Sequence, residues 1–113
     1  MNLALKTIHS RRYLLLANYT VPFEVQHLYN ASVFDVLVRL PEGSEDPELL
    51  IPSWLRCRIG NPIHINLPAP PELAVHGWKK ACWEVIDGWK ERYSTAALLN
   101  MIDKFFRGYP YAP

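Results

Sequence analysis

The sequence predicts an α+β domain: an antiparallel β-meander with a C-terminal helix packed on it. Three observations carry that expectation. Residues 33–40 alternate strictly between two faces, the middle of the chain is dense in proline, and residues 95–106 carry an apolar stripe at helical spacing. The 113 residues are half apolar and 20% charged, which suits a single domain (1–113) with a real core rather than a disordered chain. A net charge of +1, with no run of like charge longer than Arg11-Arg12 or Lys79-Lys80, gives no general attraction to nucleic acid or to an anionic membrane.

Residues 12–21, rich in Tyr, Leu, Thr and Val, read as a first strand stopped by Pro22. In 33–40, Phe34, Val36, Val38 and Leu40 share one face, and Val33, Asp35, Leu37 and Arg39 share the other. This marks a strand, central in the sheet, with one face in the core and one mixed. Pro41-Glu42-Gly43-Ser44 supplies the turn that ends it. Residues 49–51 and 54–59 read as two further short strands separated by Pro52, and Gly60-Asn61-Pro62 ends the second. Connections this short suit a meander, not helical crossovers. Residues 61–71 hold four prolines and read as a long, stiff loop. Residues 81–86, between Trp78 and Trp89, fit either a helical turn or an extended segment.

The terminal helix has the clearest signals. Ser94 is a good N-cap residue, and Leu98, Leu99, Ile102, Phe105 and Phe106 make the buried stripe. Lys104 and Arg107 suit the negative end of the helix dipole, while Gly108 and Pro110 stop the helix. The short run Leu14-Leu15-Leu16-Ala17 cannot serve as an export signal or a membrane span, so a cytoplasmic location with Cys57 and Cys82 reduced is expected. The scattered His9, His27, His64 and His76 show no metal-ligand spacing, and neither a metal nor a cofactor is expected.

The order of parts resembles the ubiquitin-conjugating enzymes over about residues 12–106. That family has an antiparallel meander and a proline-containing turn. A loop bearing a His-Pro-Asn motif comes next, then the active cysteine, a tryptophan several residues on, and a helix. Here the corresponding parts are the 33–40 strand with Leu40-Pro41-Glu42-Gly43, then Asp46-Pro47, His64-Ile65-Asn66, Cys82, Trp89 and the 95–106 helix. The strand and its LPxG turn, with a tryptophan-rich segment before the last helix, look closer still to a bacterial group associated with ubiquitin-like conjugation operons. The sequence departs from the family in three ways. Ile65 stands where the motif has Pro, Ser44-Glu45-Asp46-Pro47 replaces the usual Tyr-Pro, and the gap from Asn66 to Cys82 is longer.

The resemblance implies thioester transfer, with a ubiquitin-like protein and its activating enzyme as partners. Cys82 would carry the ubiquitin-like C-terminus, and Lys79 and Lys80 would favour its thiolate. Asn66, within the motif that begins at His64, would donate a hydrogen bond to the developing oxyanion. Asp87 would tune the incoming amine. Plainer readings stand beside these. A cysteine between aromatics also suits a small buried hydrophobe, and Cys57 reads as core. His64 and Asn66 also suit local backbone bonding in a Pro-rich loop. Trp78, Trp83 and Trp89 suit core and rim packing, and the lysine pair suits a solvated face. The alternative function is a non-enzymatic adaptor that binds a protein through its aromatic and Pro-rich surface.

Overall fold

A computed structural model describes residues 1–60, 62–85 and 94–108. Five antiparallel strands lie in sequence order: β1 (Asn2–Ile8), β2 (Arg11–Thr20), β3 (Val33–Arg39), β4 (Glu48–Pro52) and β5 (Trp78–Ala81). A short helix α1 (Pro71–Ala74) precedes β5, and α2 (Thr95–Gly108) closes the described chain. The α+β class, the meander order and the central position of the 33–40 strand agree with the expectation.

Strand alternation builds two cores. On one face Leu14, Leu16, Phe34, Val36, Val38, Leu49, Ile51 and Ala81 join Leu98, Ile102, Phe105 and Phe106 of α2 in one buried cluster. On the other face Tyr13, Leu37 and Leu50 are covered by Leu73 of α1, with Trp78 packed against them. The mixed face of β3 is therefore half of a second, smaller core. Phe106, fully buried, is the hub of the main one: its ring stacks on Tyr19 at 5.5 Å and meets Tyr29, Phe34 and Phe105 edge-on at 5.3, 5.6 and 5.0 Å. Each end of α2 has one of its open backbone groups bonded by a side chain. Ser94 Oγ accepts from Ala97 N at 3.1 Å, and the Tyr29 hydroxyl donates to the Phe106 carbonyl at 2.7 Å, one of the carbonyls a helix end leaves open. The Tyr19 hydroxyl donates to Asp103 at 2.6 Å; burial, with that carboxylate beside it, pushes the phenol well above its usual range.

Several parts differ from the sequence reading: strand β5 and the short helix α1 were not expected, and two further differences concern β1 and residues 54–59. The edge strand β1 was not expected. It pairs with β2 over its whole length through a two-residue turn, His9-Ser10, in which both residues have positive φ (47° and 63°). Such a turn matches the twist of the flanking strands but is usually marked by Asn-Gly or Asp-Gly. Here that mark is missing, and Leu3 and Leu5 are exposed, so nothing in the pattern announces the strand. Left-handed backbone strains a residue that has a Cβ. Ser10→Gly removes this strain but loosens the unfolded chain, so a net gain of about 0.5–1 kcal/mol is expected in a denaturant melt. A loss of stability would show that the Ser10 side chain does more than occupy the turn.

The segment 54–59 is not a sheet strand. Pro52 ends β4, and the chain turns at Ser53-Trp54, with Leu55 N bonded to Pro52 O at 3.0 Å and Ser53 N to Gly77 O at 2.8 Å. The segment then runs beside residues 28–30: Cys57 bridges Tyr29, Asn30 N donates to Arg56 O and Arg58 N to Leu28 O. Its alternation is genuine, and Leu55 and Cys57 are buried, but the partner is a loop rather than the sheet. Within β2 a bulge between Leu16 and Tyr19, with Asn18 at φ 58°, shifts the alternation by one and turns Tyr19 inward. Among the described residues no helix is long and apolar enough to cross a membrane.

Candidate functional site

The site is built on the free side of β5. On its inner side this strand pairs with β4 through Leu49↔Ala81 and Ile51↔Lys79. On its outer side Lys80 exchanges both backbone bonds with Leu67, at 2.9 and 3.0 Å. That bridge folds the 62–67 loop back along β5, and the next contact is made by Cys82, whose N–H donates to the His64 carbonyl at 2.8 Å. The 15 residues between Asn66 and Cys82 thus run out through α1 and return along β5, which brings Cys82 beside the His64 end of the loop across a backbone ladder. Ile65, buried at 1% exposure within the main core, pins the loop down from beneath.

Cys82 itself is exposed, whereas Cys57 is buried with its thiol directed at the Ile59 carbonyl at 3.4 Å. Cys82 lines an open cleft of about 180 Å³ with Asp46, Pro47, Glu48, Lys80, Trp83 and Val85. One wall is tied to the other by Trp83, whose indole N–H donates to the Pro47 carbonyl at 2.9 Å. Pro47 is buried in the turn region before β4, so that turn shapes the cleft. Trp83 and Trp78 are half-buried and pack against the two cores, as rim residues.

The Asn66 carboxamide is held at both ends. Its Nδ2 donates to the Pro62 carbonyl at 2.8 Å, and its Oδ1 accepts from Lys79 Nζ at 2.8 Å. This corrects the role expected of Lys79. Successive strand residues point to opposite faces, so Lys79 turns away from the cleft and only Lys80 shares it with Cys82. The lysine pair is not a solvated face either: Lys79 is buried, and its ammonium also donates to the Leu55 carbonyl. Burial pushes the Lys79 pKa below the usual lysine range, and the positive charge of Arg56 adds to this. The Lys79–Asn66 bond was missed because it depends on recognising 78–81 as a strand, which four residues cannot signal by period alone.

Asp87 and Trp89, expected as amine-tuning residue and packing residue, lie outside the described residues. Among the described residues no group of three or more His, Cys, Asp or Glu side chains could hold a metal ion. What remains is an exposed thiol, a carboxamide in the loop bonded to its backbone, and a cleft carrying both signs of charge. No protein-family model, no curated protein and no solved structure matches the chain.

Proposed function

We propose that this domain is a ubiquitin-conjugating-like carrier that holds the C-terminus of a ubiquitin-like protein as a thioester on Cys82. The observation that carries the reading is the union of an exposed cysteine with the His64-Ile65-Asn66 loop through the 2.8 Å bond from Cys82 N to His64 O. The Cys82 thiolate attacks the carbonyl of a thioester on an activating enzyme; the enzyme's own thiolate leaves, and the new thioester forms on Cys82. A lysine amine then attacks that carbonyl. The oxyanion of the tetrahedral intermediate draws a hydrogen bond from the Asn66 amide, the C–S bond breaks, and the amine proton passes to a base, for which Asp87 is the candidate. His64 contributes its backbone carbonyl to the geometry of Cys82.

An adaptor without transfer activity is the second reading, favoured by large apolar side chains left on the surface: Phe23 is 86% exposed and Trp54 is 51% exposed. The two are separated by transthiolation without an activating enzyme, using ubiquitin that carries a C-terminal mercaptoethanesulfonate thioester. The expected product is a covalent adduct of the summed mass that reductant releases. It forms with Cys57→Ala and not with Cys82→Ala. Absence of the adduct, or its persistence in Cys82→Ala, would overturn the carrier reading and leave the adaptor.

A further inference from the structure

Lys79 is the one charged side chain buried among the described residues, at 9% exposure, and it donates to two neutral oxygens, Leu55 O and Asn66 Oδ1. A buried ammonium is costly unless a carboxylate compensates it. None does so among the described residues, and the charge contributing to its lowered pKa is that of a like-charged neighbour, Arg56. A Met or Leu side chain would occupy this place in the core without that penalty. The ammonium therefore has to be explained by what it holds.

It holds the oxygen end of Asn66. A carboxamide has two ends of nearly equal size and opposite hydrogen-bonding character, so packing alone distinguishes them poorly. An ammonium only donates, and so it accepts only one of the two orientations. With Oδ1 taken by Lys79, the NH2 end must face away, and it does so towards the Pro62 carbonyl within the same loop. Lys79 also lies three residues before Cys82, which directly follows its strand, and its second bond, to Leu55 O, anchors it in the segment after β4.

We propose that Lys79 is a positioning residue of the 62–67 loop: its ammonium selects the oxygen end of the Asn66 carboxamide and so fixes the NH2 end on the Pro62 carbonyl, in the loop whose His64 carbonyl holds the Cys82 N–H. The catalytic consequence rests on the carrier reading; the orientation of Asn66 does not. In the carrier, Lys79 would touch neither the thioester nor the amine, and would act only through Asn66.

The test has two arms. In the first, the Asn66 side-chain NH2 signals are observed in a 15N-labelled sample and assigned by their loss in Asn66→Asp. The wild type is expected to show two well-separated signals that exchange slowly. Lys79→Met is expected to move them towards free-amide values and speed their exchange, with the backbone spectrum unchanged outside residues 55, 62–67 and 79–82. Lys79→Arg, also a pure donor, restores them. Unmoved signals in Lys79→Met would overturn the proposal. If that variant does not fold, Lys79→Gln decides, because its amide offers both a donor and an acceptor: altered or doubled Asn66 signals support the proposal, and wild-type signals overturn it.

The second arm measures amine transfer from the loaded chain. Asn66→Ala is expected to lose on the order of a hundredfold in transfer. Lys79→Met is expected to lose more than about tenfold, and the double variant should be no slower than Asn66→Ala alone, with loading of Cys82 reduced much less than transfer. Additive losses would overturn action through Asn66. A wild-type chain that never loads would remove the carrier reading, and the first arm would still decide the role of Lys79.

Discussion

Val36→Asp is expected to abolish cooperative folding. Val36 is fully buried on the middle strand of the sheet, opposite Leu16 of β2 and within the cluster that receives α2. A carboxylate there loses its hydration and meets only hydrocarbon. Whether it stays ionised or takes up a proton, the cost is at least about 4–5 kcal/mol, comparable to the whole stability of a small domain. The chain should show no sigmoidal melt by circular dichroism at neutral pH, and its amide NMR signals should lose their dispersion. Val33→Asp is the internal control: the same strand and chemistry at a position 48% exposed, where a change within about 0.5 kcal/mol is expected. A cooperatively melting Val36→Asp protein would mean that this face of β3 is not the one under α2.

The second large effect concerns transfer rather than folding. With the Cys82 thioester formed, Asn66→Ala should slow discharge to a lysine amine by on the order of a hundredfold, the usual loss when one oxyanion donor is removed. Loading should be affected much less if the donor's main contribution comes in aminolysis. The variant also removes one of the two oxygens to which the buried Lys79 ammonium donates and leaves it Leu55 O, so a stability loss of about 1–3 kcal/mol is expected alongside. Rates should therefore be compared under conditions where both proteins remain folded. Equal loss in loading and discharge would indicate damage to the loop as a whole.

The parts of the fold that could be read in the sequence are those with long, regular patterns. β3 announces itself because Phe34, Val36 and Val38 recur at every second position, and α2 because its stripe, N-cap and stop signals agree with one another. β1 could not be read: it is an edge strand with exposed leucines, joined to β2 by a turn whose residues carry no turn signature. Residues 54–59 were misread for the opposite reason. Leu55 and Cys57 alternate as strand residues do, and only the partner, the 28–30 loop, is unusual. For the site, Cys82, His64 and Asn66 could be singled out by residue type and order. Their adjacency could not, since it depends on the single bridge of Leu67 to Lys80. Lys79 could not be assigned either, because an adjacent lysine pair gives no hint that one member points inward until the strand is known.

Thioester transfer requires Cys82 to be a reachable thiol in the folded protein, and alkylation by iodoacetamide tests that directly. Native wild type and Cys57→Ser should each take up one label rapidly, mapped by mass to Cys82, at a rate that denaturant does not greatly increase. Native Cys82→Ser should stay unlabelled until denaturant exposes the buried Cys57. Labelling of Cys82 only on unfolding would end the carrier reading.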